Sequence, residues 1–322
     1  MTQPGSNLSL MSLCRLVLCV LIVPAVAAGA TAKWGRAAPL PEARGEVAAA
    51  LAGGRIYVVG GFAADGLNSP RVDAYNPRTN RWQRAPDLPL PVDHTMAAGY
   101  RGHLYVVGGY GPGQSVLGTL FELSGNTWTR LPPMPEERAA GGAVVVNGML
   151  YVVGGISASI VGDQPRTLAK QTLVYDIARR RWSALPGTAP REHLAVTTLN
   201  GRIYSVGGRK AGADTNLNIV EVYRPGGRRW QRLRSIPRKR GGTGAAGIGR
   251  WIVSVGGETP TATIRTVYRY NVKRRRWSRL PNLPTPRHGL GVVGFGRRVY
   301  VLGGGTRPGL SVSSANEFLT IR

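Results

Sequence analysis

The chain has 322 residues, of which 45 are glycine and 23 proline, a composition suited to many short strands joined by turns. Forty-two Lys and Arg stand against sixteen Asp and Glu, a formal net charge of +26, which favours an anionic partner; the competing reading is compositional drift toward arginine that serves solubility. Both cysteines, Cys14 and Cys19, lie in the N-terminal 30 residues, so the rest of the chain has no disulfide, thiolate metal site or cysteine nucleophile.

Residues 1–10 are polar. From Met11 the pattern becomes Arg15 followed by an apolar run, Leu16 to Ala30, interrupted at Pro24 and Gly29 and ending in Ala28-Gly29-Ala30. A basic residue, an apolar core and small residues at the end read as a signal peptide. The run falls short of the roughly 20 residues of a membrane span. Met11 is a candidate true start, and bulky Leu18 before Cys19 argues against a lipid anchor. Residues 1–30 are therefore expected to be a cleaved leader. Residues 31–322 are expected to be a single secreted or periplasmic domain, not membrane-spanning and monomeric.

From Thr31 onward one pattern repeats six times. Its centre is an apolar strand ending in two glycines: Gly60-Gly61, Gly108-Gly109, Gly154-Gly155, Gly207-Gly208, Gly256-Gly257 and Gly303-Gly304. The first glycines are 48, 46, 53, 49 and 47 residues apart, a period that belongs to repeat architectures. A small-residue strand and a tight turn precede each pair, with Asn147-Gly148 and Gly53-Gly54 supplying the positive φ of a two-residue hairpin. A third strand and a fourth, tryptophan-bearing strand follow. The tryptophans are Trp82, Trp128, Trp182, Trp230 and Trp277, and Tyr75, Tyr175, Tyr223 and Tyr270 stand seven residues before four of them.

Four antiparallel strands repeated six times make an all-β, six-bladed propeller. The glycine pairs let neighbouring blades approach, while Trp and Tyr fill the wider space between outer strands. The sixth unit ends at Asn316–Arg322, a third strand with no fourth after it. The missing strand is expected at the other end of the chain, around Trp34, closing the last blade. These features resemble kelch repeats over essentially all of residues 31–322. The resemblance implies a kelch β-propeller. Such propellers include cytoskeletal and ubiquitin-ligase adaptors, a periplasmic sialic acid epimerase and the scaffold of galactose oxidase, so function must come from the site. Galactose-oxidase chemistry needs a crosslinked cysteine, which excludes a copper radical oxidase. The epimerase is the more tolerable likeness, in shape, export and taste for an anionic sugar.

Each blade puts short turns on one face and long loops on the other. The short-turn face collects Arg55, Arg78, Arg81, Arg101, Arg179–Arg181, Arg202, Arg228, Arg229, Arg250, Lys273–Arg276, Arg297 and Arg298, a surface suited to an envelope or matrix polyanion. No nucleic-acid motif accompanies it, and nucleic acid is not the expected partner. On the long-loop face Arg44, Arg138, Arg191, Arg240 and Arg287 each lie nine or ten residues after a tryptophan, with Val92 breaking the series. They are expected to ring the central mouth and bind an anion, or else to pair with Glu42, Glu46, Glu136, Glu137 and Glu192. Glu192, His193, His288 and His94 on the same rim are the catalytic candidates. Histidines on alternate blades are expected too far apart to share a metal, so no metal and no cofactor is assigned. The resulting expectation is a non-enzymatic protein binding an anionic glycan or acidic polypeptide through an arginine-ringed face. The alternative is an epimerase or mutarotase acting on an acidic sugar, with Arg209–Asn216 and Ile156–Gln171 as loops able to cover the pocket.

Overall fold

A computed structural model describes residues 32–157 and 167–321; the expected leader with Met11, Cys14 and Cys19 lies outside them, as does the middle of the Ile156–Gln171 loop. The first element among the described residues is β1 (Lys33–Arg36). Blade one follows as β2 (Ala48–Ala52), β3 (Arg55–Val59), β4 (Val72–Asn76) and β5 (Arg81–Arg84). Blade two holds β6 (Met96–Tyr100), β7 (His103–Val107), β8 (Leu120–Ser124) and β9 (Thr127–Leu131). Blade three holds β10 (Gly142–Val146), β11 (Met149–Val153), β12 (Gln171–Asp176) and β13 (Arg181–Pro186). Blade four holds β14 (Ala195–Leu199), β15 (Arg202–Val206), β16 (Val220–Tyr223) and β17 (Gln231–Arg232). Blade five holds β18 (Gly244–Ile248), β19 (Trp251–Val255), β20 (Val267–Asn271) and β21 (Arg276–Leu280). Blade six holds β22 (Gly291–Phe295), β23 (Arg298–Leu302) and β24 (Asn316–Thr320), with β1 as its fourth strand.

The described residues thus form six four-stranded antiparallel sheets, as the repeats predict. Closure is also as expected: β1 pairs with β24 in the register Trp34↔Leu319, joining the two ends of the chain in one sheet. No helix among the described residues is long and apolar enough to cross a membrane.

The turn chemistry explains the tight first hairpins. Arg101-Gly102, Asn147-Gly148 and Asn200-Gly201 have both central residues at positive φ, the pattern of type I′ turns whose twist suits paired strands. The tyrosine seven residues ahead of a tryptophan becomes its cross-strand neighbour, as in Tyr75↔Trp82 and Tyr270↔Trp277, with ring centroids 5.0 and 5.1 Å apart. Each outer tryptophan except Trp230 then reaches back to the preceding blade. Trp82 donates its indole N–H to Ala38 O, Trp128 to Pro86 O, Trp182 to Pro132 O and Trp277 to Arg234 O. Trp34 does the same to Pro281 O at 3.0 Å, so β1 locks blade six to blade five as well as to itself.

The glycine pairs seam the blades nearer the axis. The second glycine of each pair donates its N–H to the residue that opens the next blade: Gly61 to Val92 O, Gly109 to Arg138 O, Gly155 to Arg191 O, and so round to Gly304 with Arg44 O, all between 2.8 and 2.9 Å. A Cβ on Gly61 would lie 2.3 Å from Gly45 O, and Gly61 has φ +91°, so only glycine fits both demands.

Candidate functional site

The mouth of the propeller is built from a second ring of backbone bonds. Val47 N–H donates to Gly289 O, His94 to Glu46 O, Ala140 to His94 O, His193 to Ala140 O, Gly242 to His193 O and Gly289 to Gly242 O. One residue per blade turns into this belt, and every one has a left-handed φ: Glu46 (50°), His94 (46°), Ala140 (53°), His193 (51°), Gly242 (62°) and Gly289 (55°). Two blades meet the demand with glycine. The others hold Glu46, His94, Ala140 and His193 in a conformation that costs a non-glycine residue about 1–3 kcal/mol, strain of the kind found at functional sites.

These side chains converge on a cavity of about 380 Å³ lined also by Phe62, Tyr110, Arg209, Glu258, His288 and Leu310. His94 Nε2 lies 3.0 Å from His193 Nε2 and 3.3 Å from Glu46 Oε2. The expectation that histidines on alternate blades stand too far apart to share a metal is therefore corrected for His94 and His193. The side chains of blades two and four reach toward each other at the mouth until their imidazoles touch. His288 Nδ1 sits 3.0 Å from the other oxygen of Glu46, which ties the third histidine to the same group. Behind the rings, Asp93 Oδ1 holds His94 Nδ1, and Glu192 Oε2 lies 3.5 Å from His193 Nδ1. Arg209 crosses the floor: Nε faces Glu192 at 3.2 Å, Nη1 faces Glu258 at 2.7 Å, and Nη2 donates to His193 Nε2 at 2.9 Å.

The electrostatics follow from this packing. Burial works against the charged form of His94, but Glu46 and Asp93 outweigh it and move its pKa up. His193 goes down, through burial and then the neighbouring Arg209 guanidinium. Burial would raise Glu46, yet the three histidines hold it well below the usual carboxylate range. His288 resists its burial through Glu46, Glu258 and the Arg307 carbonyl and is pushed up to about 9. Two imidazoles in contact, driven in opposite directions, are a donor and an acceptor in waiting.

The five rim arginines go elsewhere. Arg44, Arg138, Arg191, Arg240 and Arg287 are 0% exposed, and their guanidinium groups run back into their own blades. Arg44 bonds Gly60 O, Arg71 O and Asp73; Arg191 bonds Gly207 O, Thr188, Ser205 and Glu221; Arg287 bonds Ala315 O and Glu317. Arg138 turns to Glu136, and Arg240 reaches Thr266 and stacks over Tyr268. This corrects the expected ligand-binding ring: groups wholly removed from solvent and spent on backbone carbonyls do not meet a ligand at the mouth. Of the expected partners, Glu136 is found, while Glu46 and Glu192 belong to the histidine cluster and Asp73, Glu221 and Glu317 replace them. Those three acids stand two residues before the aromatic or leucine that packs on the outer strand, in the blades that carry Arg44, Arg191 and Arg287. Blade two has Val92 in place of the arginine and Phe121 in place of the acid, so the pair is lost together.

Arg209 and Glu258 are the site residues that sequence reasoning passed over. The residue after each glycine pair bridges to the residue after the rim arginine position: Phe62 with Gly45, Tyr110 with Asp93, Arg209 with Glu192, Glu258 with Gly241. That register was available as a signal, since it selects Phe62, Tyr110, Ile156, Arg209, Glu258 and Gly305 from the repeats alone. His103 sits at the opposite face against Glu122.

On that opposite face the expected basic surface is present. Arg78, Arg81, Arg101, Arg179–Arg181, Arg202, Arg228, Arg229, Arg250, Lys273–Arg276, Arg297 and Arg298 are exposed, and Arg55 is half-buried. Among the described residues, Arg179 alone of this set is ion-paired, to Asp176. Several lie instead over aromatic rings, as Arg250 over Trp251 and Arg298 over Phe318.

Comparison with known proteins agrees with the architecture. The family model described as the KLHDC2/KLHL20/DRC7 Kelch-repeats domain matches residues 29–190, and the Kelch motif matches residues 190–237 and 239–284. The chain belongs to the kelch-repeat family. An F-box/kelch-repeat protein of Arabidopsis thaliana is 30% identical over 26% of this chain and 22% of its own length. Kelch-like protein terF of Aspergillus terreus is 30% identical over 35% of this chain and 26% of its own. The human Kelch repeat and BTB domain-containing protein 13 is 31% identical over 32% and 23% respectively. The matched stretch spans about a quarter of each relative's length. Kelch-repeat propellers generally mediate protein–protein interactions.

Proposed function

We propose that this chain is an exported kelch-repeat binding module that takes an acidic segment of a protein partner on its short-turn face. The observation that carries the proposal is the exposed, almost unpaired arginine of that face. Guanidinium groups without internal carboxylates are free to grip an incoming one bidentately, and their summed field steers an anion toward the face. An anionic glycan offers the same charge without a peptide's regular spacing, so it is the competing occupant. Export rests on the Leu16–Ala30 pattern, and a secreted product whose first residue is Thr31 would bear it out.

The test compares binding of polyglutamate, an acidic polysaccharide and a neutral peptide at physiological salt. A triple charge reversal, Arg274→Glu, Arg275→Glu and Arg276→Glu, is run beside the unmodified chain. Tight binding of polyglutamate, weakened at least tenfold by the reversal, supports the reading. Stronger binding of the polysaccharide would transfer the site to glycans, and a reversal without effect would remove it from this face.

A second reading concerns the mouth. The opposed shifts of His94 and His193 favour proton transfer on a small polar substrate, as an epimerase or mutarotase of acidic sugars would need. Turnover abolished by His193→Ala and untouched by the charge reversal would favour it over the binding module.

A further inference from the structure

We infer that Glu46, His94 and His193 form a binding site for one divalent transition-metal ion at the mouth of the propeller, with a two-nitrogen, one-oxygen ligand set. Their ligand atoms lie within 4.8 Å of one another. The spacing is the first argument. Ligand atoms about 2.0–2.1 Å from a zinc-class ion stand about 3.3 Å apart at a tetrahedral angle and about 2.9 Å apart at a right angle. Two of the three pair distances meet this, 3.0 Å for the two imidazole nitrogens and 3.3 Å for His94 with Glu46, while His193 and Glu46 lie within 4.8 Å and close on the ion when it binds. Two imidazoles and a carboxylate suit zinc, iron, cobalt or nickel better than magnesium or calcium, which prefer all-oxygen sets.

The second argument is independent of spacing. A titratable group stands behind each of the three. Asp93 hydrogen-bonds Nδ1 of His94 and aims its Nε2 inward, whereas Glu192, 3.5 Å from Nδ1 of His193, and His288, 3.0 Å from Oε1 of Glu46, lie at ion-pair distance without a hydrogen bond. Carboxylates behind metal-ligating histidines fix the tautomer that presents Nε2 and raise the ligand's basicity. The backbone supplies a third argument, because the three residues occupy left-handed positions of one hydrogen-bonded belt, where their Cα atoms are held by the fold rather than by a loop.

Charge fits as well. Glu46, Asp93, Glu192 and Glu258 outnumber the two cations that face them, Arg209 and the His288 imidazolium, so the cluster keeps an excess of negative charge for a dication to offset. Loading requires Arg209 to give up its Nη2 contact with His193, while its pairs with Glu192 and Glu258 remain. Three protein ligands leave a further coordination position facing the cavity, the arrangement of an open rather than a purely structural site.

The test uses the tag-free full chain, stripped with a chelator and dialysed against Zn2+ or Co2+ alone. Expected results are one ion per chain and, with Co2+, visible d–d absorption from nitrogen and oxygen ligands. His94→Ala and Glu46→Gln should each weaken binding at least tenfold. Asp93→Asn should weaken it about tenfold through the ring it orients, and His103→Ala on the far face should leave it unchanged. Far-ultraviolet dichroism of every variant checks that the propeller is folded. A stripped chain that takes up neither ion at equimolar concentration overturns the inference. So does an ion whose affinity is indifferent to His94→Ala and Glu46→Gln in folded protein.

Discussion

The rim arginines look alike in sequence and differ in what they meet, and stability should divide along that difference. Arg287 faces Glu317 at 3.0 Å in a site from which both are excluded from water, and removing it strands a buried carboxylate. Arg287→Met is expected to cost about 3–5 kcal/mol. Arg240 has no carboxylate partner among the described residues, and burial pulls its pKa down to about 9. Arg240→Met gives up neutral contacts only and should cost about 1 kcal/mol, a contrast that urea melts of the two variants would reveal. The turns offer the reverse case. In blade one Asn80 takes the left-handed position of the outer hairpin, and its side chain accepts from the Tyr75 hydroxyl and the Ala38 N–H, both at 2.8 Å. Blades three and five put Arg180 and Arg275 there, also at positive φ, and the Tyr175 and Tyr270 hydroxyls are left buried without a hydrogen-bond partner among the described residues. Asparagine tolerates that backbone and supplies the missing acceptor. Arg180→Asn and Arg275→Asn should each stabilise the chain by about 1 kcal/mol, and unchanged or lower midpoints would show that the orphaned hydroxyls carry no cost.

At the level of strands, the repeats made the fold legible because a propeller writes its geometry six times. The glycine pairs, the Tyr–Trp spacing and the missing outer strand each follow from a packing need that recurs, so one exception stands out against five agreements. The histidine cluster was legible only in part. Its residues could be placed on the rim from their register after each tryptophan, but their separation depends on the pore radius and on left-handed backbone at Glu46, His94 and His193, neither of which a repeat pattern records. The arginines misled for the opposite reason. A ring of positive charge reads as a ligand site until the acids two residues before the outer-strand partner in three of the blades, Asp73, Glu221 and Glu317, are noticed. Closure gives the prediction proper to this scale. β1 is four residues long, yet it covers the edge of β24 and carries Trp34, whose indole N–H reaches Pro281 O in the neighbouring blade. Trp34 is half-buried, so Trp34→Ala should cost about 2 kcal/mol, below the 3–5 kcal/mol of a fully buried tryptophan. Removing residues 1–36 should do more. It bares the edge of β24 as a template for other chains, and aggregation at moderate temperature is the expected outcome in light scattering.

For the whole molecule, one charge distribution should produce two opposite responses to salt. Arg15 is the only charged residue before Thr31, so nearly all of the +26 belongs to the propeller. Among the described residues, most ion pairs lie at the mouth and inside the blades, whereas the cations of the short-turn face, Arg179 apart, have no carboxylate partner. Self-repulsion across that face opposes the compact state, and nothing covalent holds the blades against it, since no cysteine lies beyond residue 30. The Debye length falls from about 30 Å at 0.01 M salt to about 8 Å at 0.15 M, which screens neighbouring turns from each other while sparing the buried pairs. The thermal midpoint should therefore rise as salt is added over that range. Binding of polyglutamate to the same face should weaken over the same range, because the field that destabilises the free chain is the one that draws the partner in. The Arg274→Glu, Arg275→Glu, Arg276→Glu variant relieves the repulsion and the attraction together, so both salt dependences should flatten in it. A midpoint insensitive to salt in the unmodified chain, beside binding that remains salt-sensitive, would mean that the basic turns are spaced widely enough not to repel. The flattening of both curves together is what ties stability and recognition to a single face.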